Sequence, residues 1–462
     1  MVEVAPTRGE VARVLGSAPA TIQGSPPELP RNSPGTPPMH EARRRRELDW
    51  LREVTAIPTA AGREHRVIAW IERWLRTRRH LRLERDDAGN LLIRPRAGLR
   101  KVARGRAATR PILVTAHLDH PAFVALRATH QGVLGDLVSE LDPPPATKPP
   151  RAASARPAAA LLESRGRFLL CEFRGGVNRP YFDDAEVEAI DSRDRPHRGR
   201  IVAVSEVASP HRRVIVRLSG NGAGIAAGDV VRWRFPAPRI KEGLLFTHAC
   251  DDLAAVAAAL ALLDRTSRAG GLPHVGVLFT RAEEVGFVGA IAAARSRSID
   301  RRARLLCLEN SRSFAESPIG GGPIVRVGDR LSVFSPALTN AVAAAAEAHA
   351  AAEKAKDREF RWQRKLMPGG ACEATAFAAY GYESTCLCLP LGHYHNMSRI
   401  DEVAAGERPA RVAPEFISVA DYHGLIDLLE AVIARLDEPG GVASRRPLME
   451  KLYAERRGVL GS

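Results

Sequence analysis

Histidine and carboxylate side chains follow several apolar runs of this chain, where they could act together. His117 and Asp119 close one run, and Glu283 and Glu284 follow another. Residues two apart in a strand point to the same side, so His117 could bind a metal ion while Asp119 accepts the second ring N–H. Adjacent carboxylates after a buried strand repel each other, which a bound cation and a proton would relieve. Each pair alone also fits an ordinary polar strand end or a solvated turn.

Three further candidates are isolated in sequence. Asp251 stands with Asp252 before a strongly apolar helical stretch, Glu309 ends a short apolar run, and His395 follows another. Acidic residues at the start of a helix are also favoured as caps and by the helix dipole. A single Glu or His at such a position is more often structural than a ligand, so none of the three is informative alone.

The whole set has the composition of a site for two divalent cations. Such a site needs about two terminal ligands for each ion and one bridging carboxylate. The predicted ligands are His117 and Glu309 for the first ion, Glu284 and His395 for the second, and Asp251 between them. Glu283 is then left over, as a general base requires. The interpretation holds only if side chains far apart in sequence converge in space.

The elements around these residues alternate between helix and strand. Helical spacing over residues 41–75 is broken at Pro58 and Gly62, and strands are predicted at 81–85 and 90–93. Later strands are predicted at 112–116, 275–280, 305–308 and 385–390, and helices at 252–263, 288–295, 336–353, 375–380 and 419–436. This alternation indicates a layered α/β domain, in which candidate residues lie where strands end.

The middle of the chain has a different character. Short strand candidates at 167–173, 186–189, 201–207, 214–218 and 230–235 are separated by Gly, Asp and Pro, which is typical of a small β-barrel or sandwich. We therefore predict an inserted β-barrel domain at 121–240, within a discontinuous catalytic domain at 41–120 and 241–440. A Pro/Gly/Ser-rich tail at 1–40, expected to be disordered, a flexible Pro/Ala-rich loop at 141–160 and a basic tail at 441–462 complete the division.

Composition and charge bear on the partners and the cellular compartment that we expect for this chain. The chain has 68 Lys and Arg against 53 Asp and Glu, a net charge of +15. A positive net charge can indicate a nucleic-acid partner. The arginines are, however, spread out without interleaved aromatic residues, which favours the interpretation that they lie on solvated surfaces. We find no apolar run long enough to span a membrane and no secretory signal pattern, so we expect a cytoplasmic protein. Six scattered cysteines are then expected to be free thiols.

Several of these segments resemble motifs of the glutamyl aminopeptidases, also called tetrahedral or deblocking aminopeptidases, which are co-catalytic zinc exopeptidases. The stretch 283–290, E-E-V-G-F-V-G-A, resembles the family's E-E-V-G-x-x-G-A and is the most specific match. The stretch 249–252, A-C-D-D, resembles its A-x-D-D, and 117–119, H-L-D, its H-x-D. Gly322-Pro-Ile324, the G-G-A-C-E-A at 369–374, and the spacing from Pro390 to His395 are similar to further family motifs in the same order.

The resemblance implies a three-layer α/β/α zinc-exopeptidase-like domain with an inserted β-barrel. It implies an aminopeptidase that hydrolyses N-terminal residues of peptides with two divalent ions, zinc or else cobalt or manganese. The metal-ligand roles carry over to His117, Asp251, Glu284, Glu309 and His395, and the catalytic roles to Glu283 and Asp119. The inserted domain further implies a large homo-oligomer, and neither nucleic acid nor a membrane is expected as a partner.

The chain departs from the family pattern at three points near the predicted site. The family's H-x-D-E-I-G reads H-L-D-H-P-A here, Glu309 replaces an Asp, and His393 stands where an Arg is usual, so His393 competes with His395 as a ligand. Two other functions fit the residues: an N-acyl amino acid deacylase with the same ligands, and a metal-free scaffold or nucleic-acid-binding protein on this fold.

Overall fold

The computed structural model describes residues 39–96, 110–133, 135–141, 165–208, 210–220, 224–267, 272–436 and 446–460. The predicted tail before residue 39 and the predicted loop at 142–160 lie outside the described residues. Residues 43–462 form one compact unit, and of the unit Met1–Ala42 only the start of the first helix is described. None of the described helices is both long and apolar enough to cross a membrane.

The main sheet has eight strands, with its buried centre made of parallel strands. Its members are β1 (Leu81–Arg85), β2 (Leu91–Pro95), β3 (Ile112–His117), β12 (Val275–Thr280), β13 (Arg304–Arg312), β14 (Ile324–Gly328), β15 (Gln363–Leu366) and β16 (Glu383–Leu391). They lie in the order β1-β2-β12-β3-β13-β16-β14-β15. Strands β12, β3, β13 and β16 run parallel, so their carboxyl ends meet at one edge of the sheet.

Helices cover both faces of this sheet because its strands are apolar on both sides. Described helices on one face are α1 (Met39–Val54), α2 (His65–Leu75), α4 (Leu253–Ser267), α6 (Pro336–Lys354) and α9 (Val419–Arg435), which share one hydrophobic cluster. On the other face are α5 (Val288–Ser296) and α7 (Glu373–Ala379), which share a second. Ile112 and Val114 belong to the first cluster and Leu113 to the second, as the pleat of β3 requires. The predicted three-layer α/β/α fold is confirmed.

The insertion folds as a closed six-stranded barrel. Its strands are β4 (Ala122–Val133), β5 (Arg165–Arg174), β6 (Glu186–Ile190), β7 (Pro196–Val204), β8 (Arg212–Leu218) and β9 (Val230–Trp233), in the order β4-β5-β8-β7-β6-β9. Phe123 packs edge-on against Phe173 and Trp233, each with a ring-centroid distance of 4.8 Å. Helix α3 (Gly135–Leu141) contributes Leu137 to a smaller apolar cluster with Phe168. The barrel itself is confirmed, whereas the division of the chain into separate domains stays a prediction.

A third sheet joins distant parts of the chain beside the main sheet. It consists of β10 (Arg239–Lys241), β11 (Leu244–Thr247) and β17 (Glu415–Ser418), with β11 antiparallel to β17. Strand β11 ends four residues before Asp251. The remaining described helices are α8 (Ile400–Ala404) and α10 (Arg446–Arg456).

Sequence patterns located most elements of the main sheet and missed some short ones. The strands at 81–85 and 275–280 have the predicted bounds, and the helices at 336–353 and 419–436 differ by one residue from α6 and α9. The patterns gave no strand at β4, β10, β11, β14, β15 or β17. Strands β4, β14, β15 and β17 pair with segments more than 30 residues away, which local patterns do not report, and β10 and β11 form a hairpin of only three and four residues.

Candidate metal centre

The edge where the parallel strands end gathers the predicted residues. His117 is the last residue of β3, and Glu309 lies in the carboxyl-terminal half of β13. Glu283 and Glu284 follow β12, and His395 follows β16. Asp251 lies outside the main sheet, in the turn between β11 and α4. The side chains of α4 are buried from Leu253 to Asp264. The carboxyl edge of a parallel sheet is the usual place for a ligand site.

The side chains come together around Asp251. Its Oδ1 lies 3.4 Å from Nε2 of His117, and its Oδ2 lies 3.4 Å from Nε2 of His395. Nε2 of His395 is also 3.5 Å from Oε1 of Glu284. Glu309 has a carboxylate oxygen within 4.8 Å of ligand atoms of His117 and Asp251. Asp251 therefore stands between two groups of potential metal ligands, as a bridging carboxylate must.

These acids are buried without a Lys or Arg partner among the described residues. Asp251 is 1% exposed, Glu309 7% and Glu283 8%. Among the described residues, none of the candidate carboxylates forms an ion pair with Lys or Arg. Two buried atoms, Oδ1 of Asp251 and Oε1 of Glu284, also lack any hydrogen-bond partner. Burying an uncompensated carboxylate costs several kcal/mol, roughly, so the donor set fits bound cations that supply the missing charge.

Burial and mutual repulsion change the acidities of the site. Burial, followed by the charges of Asp251 and Glu283, raises the pKa of Glu284 well above its usual value. Burial also raises the pKa of Glu309, with Asp251 and Asp252 adding to the effect. Burial raises the pKa of Asp251 as well, but the two histidines close to its carboxylate outweigh burial and hold this pKa below the usual range. The neighbouring acids thus protonate readily until a cation displaces the protons.

Asp119 has a different contact from the one that we predicted. Nδ1 of His117 lies 3.1 Å from the backbone carbonyl oxygen of Asp119 but 3.6 Å from its Oδ1. The ring N–H therefore donates to the carbonyl. The carboxylate is occupied elsewhere, because Oδ1 accepts the amide N–H of Glu283 and Oδ2 that of Glu284, each at 3.0 Å. Asp119 thus fixes the backbone that carries both glutamates, in addition to orienting His117.

His395 is oriented by the inserted barrel. Its Nδ1 lies 2.6 Å from the carbonyl oxygen of Gly176, which follows β5. The ring of Tyr394 stacks on it with a centroid distance of 3.7 Å. The competing His393 lies apart, since its Nδ1 bonds to the carbonyl oxygen of Pro414 at 2.9 Å. The structure therefore places His395, and not His393, beside Asp251 and Glu284.

Four buried polar residues around the site were not singled out from the sequence as functional. Oδ2 of Asp252 accepts the amide N–H of His117 at 3.2 Å. Glu415 accepts the backbone N–H groups of Cys250, Asp251 and His395. His120, at the altered H-L-D-H motif, contacts the carbonyl oxygen of Asp251 through Nδ1 and Asn396 through Nε2. Of these three residues, Asp252 and His120 carried a sequence signal, namely their adjacency to predicted ligands, and Glu415 carried none.

The fourth is Glu373, the first residue of α7, which is 2% exposed. Its Oε2 accepts a long hydrogen bond of 3.4 Å from Thr115, and its Oε1 has no partner. Burial raises its pKa to about 7, with the charge of Asp119 adding to the effect. Glu373 falls in the G-G-A-C-E-A segment, where the family motif carries Asp. The sequence therefore showed an acidic residue in this motif, but not where its side chain lies relative to the site.

An open cleft of about 610 Å³ leads to this cluster. Glu283, Glu284, Glu309 and His395 are among the residues that line it. The loop Gly176–Asn178 after β5 of the barrel and Arg326 line it as well. The volume is within the range of ligand pockets and leaves the glutamates accessible to a small substrate.

The comparisons with solved structures show which fold this is. An aminopeptidase from Desulfurococcus kamchatkensis matches 84% of this chain and 95% of its own, at 17% identity and a TM-score of 0.59. The TET1 peptidase of Pyrococcus horikoshii matches 84% and 98%, at 19% identity and a TM-score of 0.56. An endoglucanase of Thermotoga maritima matches 85% and 98%, at 16% identity and a TM-score of 0.52. The fold of this chain is therefore the one that these three structures share.

A family model also matches part of the chain by sequence. The family model of the M42 glutamyl aminopeptidases matches residues 220–407, a span that includes Asp251, Glu283, Glu284, Glu309 and His395. The resemblance that the motifs indicated is confirmed by this match. No curated protein matches the chain by sequence. Family and fold together support a metal-dependent aminopeptidase, and neither the deacylase nor the scaffold alternative is favoured.

Proposed function

We propose that this protein is an aminopeptidase that removes N-terminal residues from peptides with two divalent metal ions. The observation that carries the proposal is the placement of Asp251, whose two carboxylate oxygens each face a histidine Nε2 at 3.4 Å. Ligand pairs that share a cation keep this spacing, whereas groups that bond directly to each other approach to about 2.9 Å. His117 and Glu309 would hold one ion, Glu284 and His395 the other, and Asp251 both.

The spacing supports zinc in particular. Zinc in proteins is tetrahedral, with bonds to His and carboxylate ligands of roughly 2.0–2.1 Å, which places neighbouring ligands about 3.3–3.4 Å apart. The contacts of His117 and His395 with Asp251 at 3.4 Å, and of His395 with Glu284 at 3.5 Å, agree with that geometry. Cobalt adopts similar sites, so zinc is the proposed ion and cobalt the practical substitute.

The reaction would depend on Glu283. When bound, the ions would lower the pKa of a water and polarise the scissile carbonyl. Glu283 lines the cleft, with Oε2 3.9 Å from Nε2 of His117, outside the two groups of ligands around Asp251. Burial and the charges of Asp119 and Glu373 raise its pKa well above the usual value, which suits a group that must take a proton and release it to the leaving amine.

The wall of the cleft favours an acidic terminal residue. Arg326 is 2% exposed, yet its guanidinium bonds only to neutral acceptors, among them Oγ of Ser311 at 3.2 Å and the carbonyl oxygen of Gly370 at 3.3 Å. Among the described residues it has no carboxylate partner. A buried cation without a counter-ion attracts a carboxylate that enters the cleft. We therefore propose a preference for N-terminal Glu or Asp over Leu or Lys.

The proposal extends to the assembly and the compartment of the protein. The related P. horikoshii peptidase assembles into a tetrahedron or a large octahedral shell. We propose a homo-oligomer for this chain as well. A reducing, cytoplasmic setting agrees with the six cysteines, all of which are free and buried.

The function is tested by metal analysis and a substrate panel. The purified chain should contain or recruit zinc or cobalt and should cleave glutamyl-4-nitroanilide faster than the leucyl and lysyl analogues, with no activity on N-acetyl amino acids. The E283Q variant should keep the metal content and lose about 10²- to 10⁴-fold in kcat, the usual contribution of a general base. Full turnover by E283Q would remove Glu283 from this role. Hydrolysis of N-acetyl amino acids alone would establish the deacylase instead, and absence of metal would favour the scaffold.

A further inference from the structure

A buried glutamate outside the predicted ligand set connects the two halves of the site. Glu415 is fully buried, with an exposed fraction of 0%. Its Oε2 accepts the backbone N–H groups of Cys250 at 2.7 Å and Asp251 at 3.0 Å, and its Oε1 accepts that of His395 at 2.9 Å. Among the described residues no Lys or Arg pairs with it. All its interactions are thus with the backbone that carries two predicted ligands.

The strand pairing explains why Glu415 reaches both segments. It is the first residue of β17 and lies opposite Thr247, the last residue of β11, in the antiparallel ladder. The chain continues from Thr247 to Asp251. On the other side of β17, Phe416 and Gly392 exchange backbone hydrogen bonds of 2.9 and 3.2 Å, and the chain continues from Gly392 to His395.

We propose that Glu415 is a positioning residue that fixes His395 relative to Asp251 and thereby sets the affinity of the ion held by Glu284, His395 and Asp251. This assignment rests on the proposed two-ion function. Residues around a metal site that orient its ligands typically change metal affinity or activity by about 10- to 100-fold when they are replaced. Glu415 fits that description through the backbone and not through a ligand side chain.

A carboxylate is required because three N–H donors converge on it. A glutamine at this position has one acceptor oxygen and one NH₂ group. The oxygen would take the place of Oε2, where two amides are satisfied, and the NH₂ would then face the amide N–H of His395. Two donors facing each other repel and leave a buried amide unsatisfied. The E415Q variant should therefore displace the His395 segment first.

The other ion should be affected much less, because its terminal ligands are held elsewhere. The amide of His117 donates to Oδ2 of Asp252, and Nδ2 of Asn310, the residue after Glu309, donates to Oδ1 of the same carboxylate at 2.7 Å. Asp252 thus supports the His117 side as Glu415 supports the His395 side. Replacing Glu415 should separate the affinities of the two ions.

The experiment is a cobalt titration of the full chain after removal of metal with a chelator, followed by visible absorption and calorimetry. The wild-type chain should bind two equivalents. The E415Q variant should bind one equivalent with an affinity within about threefold of wild type and the other at least 10-fold more weakly. The matched control is E47Q, which removes another buried carboxylate, one that pairs with Arg265 at 2.7 and 2.8 Å far from the cleft. It should lose thermal stability and bind both equivalents as wild type does.

Two results would overturn the assignment in distinguishable ways. If the wild-type chain binds fewer than two equivalents, the proposed function fails and the role of Glu415 fails with it. If the wild-type chain binds two and E415Q binds both with unchanged affinity, only the role of Glu415 is wrong. Should E415Q not fold, the E415D variant decides. It keeps the charge but shortens the arm, so weakening of one equivalent supports the assignment and wild-type affinity for both overturns it.

Discussion

Replacing Asp119 with asparagine would test how the backbone after β12 is held in place. The carboxylate of Asp119 accepts the amides of Glu283 and Glu284, one on each oxygen, at 3.0 Å. Asparagine has nearly the same shape but only one acceptor oxygen, so one amide would face an NH₂ group. The D119N variant therefore removes one bond and introduces a repulsion without opening a cavity.

The size of the effect follows from the charge of the acceptor. A hydrogen bond to a charged group contributes about 1.5–3 kcal/mol, and each 1.4 kcal/mol corresponds to a factor of ten. We expect kcat/KM of D119N to fall by roughly 10- to 100-fold. If the freed amide belongs to Glu283, kcat falls at unchanged metal content. If it belongs to Glu284, metal affinity falls as well.

The assay is steady-state kinetics on an aminoacyl-4-nitroanilide together with metal analysis and thermal denaturation. The matched control is D191N in the barrel, where a buried aspartate likewise accepts two backbone amides, those of Arg193 and Arg195 at 2.9 Å. That variant should lose stability and keep kcat/KM. A D119N enzyme with wild-type kcat/KM and metal content would refute the reasoning that Asp119 positions the two glutamates.

Two further predictions concern the surroundings of the site. Burial raises the pKa of Glu373 to about 7, above the usual 4.5, so its stabilising effect is present below pH 4.5 and is lost as the pH rises through 7. In denaturant titrations of metal-stripped protein, E373Q should gain about 3 kcal/mol relative to wild type between pH 4.5 and 8, and equal pH slopes would contradict this. A Cβ at Gly175, where φ is +138°, would lie 2.6 Å from Cβ of Pro121. The G175A variant should therefore disturb the loop that holds His395 and weaken cobalt binding more than G176A, whose Cβ has only ordinary contacts, and equal affinities would argue against a role for this loop.

Local sequence patterns were enough to predict the layered α/β domain, because its buried strands and helices each have a pattern within a short stretch of residues. The buried strand at 275–280 is a continuous apolar run, and the helix α4 is so rich in Ala and Leu that it had to be buried on all sides. Strand β17 has only four residues, and β4 follows Pro121 without a distinct turn signal. Their pairing partners lie far away in the chain, so no short stretch of sequence could predict that these segments form strands.

The residue types of the site were likewise readable, but their contacts were not. The motif at 283–290 and the acids at 251 and 252 indicate a metal-dependent hydrolase from the sequence alone. The sequence favoured His395 but left His393 as a competing ligand. The structure separates them because the carbonyl oxygen of Pro414 accepts a bond from the ring of His393 and that of Gly176 from the ring of His395. The structure also shows that the carboxylate of Asp119 accepts two backbone N–H groups, whereas the sequence predicted a bond from the ring of His117.

The sequence alone therefore determined the class of fold and the kinds of side chains available for catalysis, since hydrophobic periodicity and motif spacing are properties of neighbouring residues. Only the tertiary structure decided which acids face other potential metal ligands and which bind the backbone. Asp251 and Glu415 are both buried acids. The A-C-D-D motif marks Asp251 as a candidate ligand, but the sequence does not show what either carboxylate contacts. The difference arises because Asp251 faces two imidazoles whereas Glu415 faces three amide N–H groups, and those partners are brought together by strands more than 100 residues apart.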